Sequence, residues 1–514
     1  MPFAGRRGHT QALRIQGKKG DKAMYVVQVA SECAPVAKVG GLGDVVFGLS
    51  RELEIRGKSV EIILPKYDCM RYEQIWGLQV SYSDLAVPWY GGAIHCTVWF
   101  GFVHGRKCFF VEPHSRDHFF QRGTYYGEWD DPMRFVFFSK AALEFMLKAN
   151  KRPDLIHCHD WQTGIVPVLL YSLYAGAGMQ NQRVCSTIHN FRHQGATSGE
   201  ILKATGLGGP EHFFADERMR DPFDPEKLNL VKASIVYSNF VTTVSPHHAW
   251  EAMHTDQGRG LQHTLHVHQA KFAGVLNGVD YEVWNPEIDP NIACTYHAGS
   301  IERKYRNKDA LRDRFWLRQG FKPLIAYVGR LDDQKGVHLV RHGIYYALAH
   351  DAQFVLLGTA PDPAIHRQYW EMKRQLNDNP DCHLELSYNE ELAHLIYAGA
   401  DMILVPSNYE PCGLSQIIAL KYGTVPIVRG IGGLSNTVFD KDNYHAKPLH
   451  ERNGFVFVEP SYEALEGTMY RAIRLWYENP EHFRELMLNG MRYDFSWNHP
   501  GRHYLGIYEH IRHR

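Results

Sequence analysis

The 514-residue sequence predicts an α/β protein of two doubly wound, Rossmann-like domains that face a central cleft. Three observations carry this reading. The length exceeds what one hydrophobic core sustains, so at least two domains are expected. Short β-branched runs alternate with longer segments of helical spacing, the mark of parallel βαβ units. The alternation stops at "DYEVWNPEIDPNIACTYHAGS" (280–300), a connector rich in Pro, Asn and Asp, and then restarts.

In the first half, strands are expected at Tyr25–Ala30, Val60–Leu64, Leu155–Cys158, Val184–Ile188 and Val241–Val244, with a helix over Asp131–Ala149. In the second half they are expected at Leu324–Gly329, Phe354–Gly358, Met402–Pro406 and Thr424–Val428, with helices from Val337 and over Pro363–Leu376. The domains are accordingly drawn at 24–295 and 296–490, with a disordered extension over 1–23. No low-complexity tract or repeat interrupts the pattern.

Composition excludes several classes of function. Lys plus Arg equals Asp plus Glu at 56 each, so no global field attracts nucleic acid or an acidic membrane. Any anionic ligand must be bound locally. The nine cysteines are odd in number, form no C-x-x-C pair and sit in apolar runs, as reduced thiols of an intracellular protein do. No apolar run reaches the roughly 18 residues of a membrane span. The basic, polar N-terminus lacks the apolar core of a secretory signal and reads as a transit-peptide remnant or an added tag.

The stretch "KVGGLGDVVFGL" (38–49) places Gly40, Gly41 and Gly43, with a lysine and an aspartate, between a strand and a helix. Ligands of an open parallel sheet sit beyond the carboxyl ends of the strands. A glycine-rich turn entering a helix offers unpaired amides and the positive end of the helix dipole. Gly40, Gly41 and Gly43 therefore read as an anion cradle to which Lys38 adds charge; the plain alternative is a tight turn. The spacing matches neither G-x-G-x-x-G nor a P-loop. In the second half, "YVGRLDDQKGVHLV" sets Arg330 and Lys335 around a turn before a helix, which suits a diphosphate or else a solvated helix start.

"VPSNYEPCGLSQ" puts Glu410 at the mouth of a buried strand, where a carboxylate can accept sugar hydroxyls or stabilise a developing positive charge, or simply cap a helix. "RGIGGLSNTV" again places glycines after a strand and suggests a second anion pocket lined by backbone. "LIHCHDWQTG" sets His157 and His159 on one face of a strand end. No further ligand cluster accompanies them, so a metal site is not expected; His157 reads as packed, His159 as the functional candidate.

These motifs, with "TIHN", "VTTVSP", "GVLNGVD", "KYGTVPIVR" and "DFSW", occur in the order found in bacterial glycogen synthases and plant starch synthases. The resemblance covers Met24 to Tyr508 and is greatest to the catalytic region of plant class III and IV starch synthases. It implies a GT-B glycosyltransferase with a C-terminal helix, within 491–514, that crosses back to the first domain. It implies transfer of glucose from ADP-glucose to the non-reducing 4-OH of an α-1,4-glucan with retention, without metal or cofactor, in a plastid or cytoplasm. By the same resemblance Lys38, Arg330, Lys335, His159 and Glu410 carry the chemistry. Gly40, Gly41, Asp44, Gln334 and the amides of the segment Cys412, Gly413, Leu414 and Ser415 hold the nucleotide sugar, with Gly432 and Gly433. His159, with Asn190 and Asn277, meets the glucose, and Tyr388 stacks on the base.

The residue types fit a front-face displacement in which the leaving phosphate takes the acceptor's proton, since no second carboxylate faces Glu410. Two departures from the family pattern stand out: Ile431 replaces a threonine of "TGGL", and His193 a tyrosine. Tyr388 can stack on uracil as well as adenine, so UDP-glucose stays open. A catalytically weak glucan-binding scaffold is the alternative of the same fold, and a Rossmann oxidoreductase is disfavoured by the missing G-x-G-x-x-G.

Overall fold

The computed structural model describes residues 23–513; the expected disordered extension falls almost wholly on residues 1–22, outside the described residues. The first lobe is built on a nine-stranded sheet in the order Phe272–Gly274, Phe240–Thr243, Arg183–Ile188, Leu155–His159, Tyr25–Val29, Ser59–Pro65, Arg106–Pro113, Gly92–Val103, Ile75–Trp89. The first seven of these run parallel. The last two are an antiparallel extension that ends in a long edge strand. The second lobe is a six-stranded, wholly parallel sheet in the order Cys382–Glu385, Gln353–Leu357, Leu324–Val328, Met402–Val405, Val425–Arg429, Phe455–Phe457.

The parallel strands read as continuous apolar runs because helices cover both of their faces. Helix Asp131–Lys148 buries nearly its whole length in the first core, and Val337–Ala349 lays Leu339, Val340 and Ile344 on the second. The antiparallel extension has no crossover helices, and most of its edge strand is solvated, Trp76 and Val80 included. A search for βαβ units therefore passes over it.

The chain crosses between lobes twice, side by side. Val279 N–H donates to Phe495 O at 2.8 Å where the outgoing and returning segments meet. The returning chain forms helix Asn498–Arg512, whose Tyr504, Tyr508 and Ile511 pack with Val45, Leu49 and Leu53 of helix Gly41–Ile55 in the first lobe. Trp497 sits at the crossing. A Cβ on Gly48 would lie 2.0 Å from its indole nitrogen, and one on Gly278 2.7 Å from its backbone. Only glycine fits at either place.

The lobes also touch across the cleft. Ser245 Oγ–H donates to Pro411 O at 2.7 Å, and His247 N–H to Asn436 Oδ1 at 2.9 Å.

Candidate active site

The glycine-rich turn ends in helix Gly41–Ile55, whose first residue follows Gly40 in extended conformation with no side-chain cap. The first-turn amides thus lack an intrahelical acceptor. Space is open around Gly40 and Gly41, where an added Cβ would meet nothing closer than Leu414 Cδ1 at 3.9 Å, across the cleft. Gly43 serves packing, since a Cβ there would stand 3.2 Å from Ala34 N. The turn is held from behind by buried Glu32. Its Oε2 accepts the Val39 and Gly40 amides at 2.7 and 3.0 Å, and its Oε1 accepts Tyr126 O–H at 2.7 Å. The Gly40 amide is therefore spent on Glu32, a correction to its expected use on the nucleotide sugar.

Lys38 Nζ pairs with Asp44 Oδ1 at 2.8 Å. Burial pulls the Lys38 ammonium down, and the charge of Asp44 more than offsets it, so its pKa lies above the ordinary lysine value. Burial raises the Asp44 carboxyl, partly offset by Lys38. Both line a cavity of ≈ 760 Å³ between the lobes, together with Tyr388 and Leu414 of the second lobe and Trp497 of the crossing. Tyr388 is 67 % exposed, with its hydroxyl donating to Glu390 at 2.9 Å and its ring face free for a base.

Arg330 and Lys335 are outside this cavity wall. Lys335 reaches the segment Glu410–Ser415 at its beginning, as the glycine-rich turn approaches it at Leu414. Lys335 Nζ lies 2.6 Å from Glu410 Oε2, which also accepts Ser407 O–H at 2.8 Å. Arg330, 53 % exposed, stands 3.4 Å from Asp332, which caps the turn by accepting Lys335 N–H at 3.0 Å. The Gln334 carbonyl accepts the Asn408 and Tyr409 amides at 2.9 and 3.2 Å and so fastens this turn to the Glu410 loop. Gly336 is left-handed, and a Cβ there would strike Pro406 O at 2.2 Å. Segment Cys412–Ser415 turns through left-handed Gly413 into helix Ser415–Lys421, with the Cys412 thiol buried and pushed up to about 12.

A second expectation is corrected here. Gly432 and Gly433 offer no open anion pocket. The Gly432 amide donates to Glu251 Oε1 of the first lobe at 3.1 Å, and the Gly433 amide to Glu410 O and Pro411 O, both at 3.1 Å. Both glycines are needed because a Cβ would fall 2.0 Å from the carbonyl of Glu410 or Cys412.

His159 is fully buried, with Nε2 2.8 Å from Gln28 Oε1 and Nδ1 3.1 Å from His189 Nε2. Strand alternation does place it beside His157, ring centroids 4.3 Å apart, but on a face covered by the C-terminal helix, where His157 Nδ1 meets Tyr508 O–H at 2.7 Å. Half-buried His189 is the member of this chain nearest the loops. Burial, then His157 and His189, hold the His159 imidazole well below its ordinary value.

Asn190 Oδ1 accepts Arg192 N–H at 2.9 Å and closes a turn, so its side-chain oxygen is already engaged. Asn277 behaves otherwise: its Oδ1 is buried without a protein partner among the described residues and is free to accept a hydroxyl.

Sequence reading missed Glu32, Tyr409 and Glu251. Glu32 lies six residues before Lys38 in the same loop and carried a usable signal; Tyr409 and Glu251 make their contacts to the other lobe with partners distant in sequence.

Two Rossmann-like lobes face each other across a nucleotide-sized cavity, the architecture of the GT-B glycosyltransferases. The family described as the starch synthase catalytic domain matches residues 25–267, and that of glycosyl transferases group 1 matches 312–489. "Glycogen synthase 1" of a Synechococcus strain is 64% identical over 491 residues, 96% of this chain and 100% of the relative. "Glycogen synthase 2" of Methylococcus capsulatus is 62% identical over 486 residues, 95% of this chain and 100% of the relative. The solved catalytic domain of starch synthase IV from Arabidopsis thaliana, bound to ADP and acarbose, superposes with a TM-score of 0.92 at 42% identity, covering 96% of this chain and 100% of that one. The chain belongs to the glycogen and starch synthase family of glucosyltransferases.

Proposed function

We propose that the protein transfers glucose from ADP-glucose to the non-reducing 4-OH of an α-1,4-glucan with retention at the anomeric carbon. The observation that carries this is the Lys335–Glu410 pair standing at the head of the segment that the glycine-rich turn meets at Leu414. Departure of ADP concentrates negative charge on the diphosphate and positive charge on the sugar carbon. Arg330, Lys335 and Lys38 answer the first, and Glu410 the second, as fixed charges that need no rearrangement in the transition state.

In this reading the diphosphate draws Lys38 from Asp44 and Lys335 from Glu410. Glu410 is thereby freed to accept sugar hydroxyls, and Asn277 Oδ1 accepts another. The departing phosphate oxygen accepts the acceptor's proton on the face it leaves. Charge on the diphosphate is met by side chains, so no metal is assigned to the reaction. Tyr388 is assigned to adenine; the starch synthase IV domain bound to ADP supports an adenine nucleotide over a uridine one.

Among the described residues no helix is long and apolar enough to cross a membrane. The nine cysteines are free thiols, which supports a reducing compartment, cytoplasm or plastid stroma.

The deciding experiment compares glucose incorporation into malto-oligosaccharide from ADP-glucose and from UDP-glucose, with the anomeric configuration of the new linkage read by NMR. Chain elongation through α-linkages, faster from ADP-glucose, is expected. No incorporation from either donor overturns the reading in favour of a glucan-binding scaffold. A covalent glucosyl-protein adduct overturns the front-face mechanism.

A further inference from the structure

Tyr409 immediately precedes Glu410, yet its ring is 1% exposed because it is inserted into the opposite lobe. Its hydroxyl accepts Phe191 N–H at 3.1 Å and stands 3.2 Å from His248 Nε2. The guanidiniums of Arg192 and Arg259 lie 4.9 and 5.9 Å from its ring centroid, and neither is salt-bridged among the described residues. Two further bonds flank it: the Pro411 carbonyl accepts Ser245 O–H, and the Gly432 amide reaches Glu251. Every one of these partners is in the first lobe. Glu410 itself points to Lys335 of its own lobe. The loop therefore presents one side chain to each lobe from adjacent positions.

We propose that Tyr409 is a positioning residue for the transfer: it seats in the first lobe only when the cleft closes, and by seating fixes the Glu410 carboxylate over the sugar. This rests on the reading of Glu410 given above. An open cleft would expose the ring and leave the Phe191 amide without its acceptor, so the seated state is coupled to closure. The cations on the ring add attraction that an open state lacks.

The test uses Tyr409→Phe, which keeps the ring and removes the hydroxyl. Expected are a fall in kcat of about tenfold, the worth of one buried hydrogen bond, with the affinity for ADP by calorimetry changed less than about twofold. The melting temperature should stay within about 3 °C of the parent. Small-angle scattering with ADP alone as probe should show compaction of the parent and its loss in the variant. His248→Gln, which keeps a polar partner, should retain more activity than His248→Phe.

A kcat within twofold of the parent, or equal compaction in parent and variant, overturns the proposal. So does a loss of rate that tracks a fall in melting temperature and recovers at lower temperature. The scattering readout needs no turnover: a parent that compacts yet transfers no glucose sinks the assigned reaction while leaving the role of Tyr409 to be decided by its own variant.

Discussion

Lys335 Nζ and Glu410 Oε2 lie 2.6 Å apart, with the carboxylate buried and the lysine side chain partly exposed. Each is the other's charged partner, and both contacts to the carboxylate fall on Oε2, which leaves Oε1 open. In the proposed reaction the diphosphate competes with Glu410 for the lysine.

Removing the lysine has two consequences. Lys335→Ala takes away one charge-assisted contact to the leaving group, worth about 2 to 4 kcal/mol, so kcat should fall roughly 30- to 1,000-fold. It also strands the Glu410 carboxylate against Ser407 alone, which should lower the melting temperature. Steady-state kinetics and calorimetry on the same preparation measure both, and unchanged turnover would remove Lys335 from the mechanism.

Tyr388 presents a ring to the interlobe cavity without being packed by the protein. Tyr388→Ala should therefore raise KM for the nucleotide sugar, by about 5- to 150-fold for a lost stack of about 1 to 3 kcal/mol, with little change in folding stability. Tyr388→Trp should bind the donor at least as well as the parent. An alanine variant with the parent's KM would show that the base lies elsewhere.

Much of this was legible in the chain. Buried parallel strands such as Leu155–His159 and Met402–Val405 announce themselves as short apolar runs, and Lys38, Glu410 and Lys335 stand at strand ends, where an open α/β sheet puts its ligands. What escaped depends on partners distant in sequence. The edge strand Ile75–Trp89 has a solvated face and no crossover. The spacing of His157 and His159 fixes a shared face but not what covers it, and Tyr508 lies 351 residues away from His157. Gly432 and Gly433 look like a second cradle until Glu251 is brought against them from the other lobe.

Gly48 tests the crossing of the two connections. A Cβ at this position would lie within 2.0 to 2.7 Å of three atoms of the Trp497 ring, wedged between helix Gly41–Ile55 and the returning chain. Gly48→Ala would gain helix propensity on an exposed surface, but here overpacking prevails and should cost about 1 to 3 kcal/mol. A lower melting temperature and a lower denaturant midpoint are expected, and a variant as stable as the parent would mean that Trp497 is free to move aside.

The histidines behind the site make stability fall in mild acid. Burial holds His189 down to about 3 and, with His189 adding to it, His157 to about 3; His159 is held well below its ordinary value by burial and by both neighbours. In the unfolded chain all three titrate near 6.5, so below that pH the unfolded state takes up protons the folded state refuses. Stability is thus complete above about 6.5 and is lost as the pH falls toward 3. Asp160 acts in the opposite sense. Burial raises its carboxyl to about 7, so between 7 and 3.8 the folded state holds a proton that the unfolded state releases. Three protons against one leave a net of about two, each worth about 1.4 kcal/mol per pH unit across the window. Glu251, held down to about 2, adds to the loss only below about 4.5. Calorimetry between pH 7 and 4.5 should therefore show a falling melting temperature, and Asp160→Asn should steepen the fall by removing the opposing proton. A melting temperature that is flat over this range would mean that the three imidazoles take up protons within the folded protein.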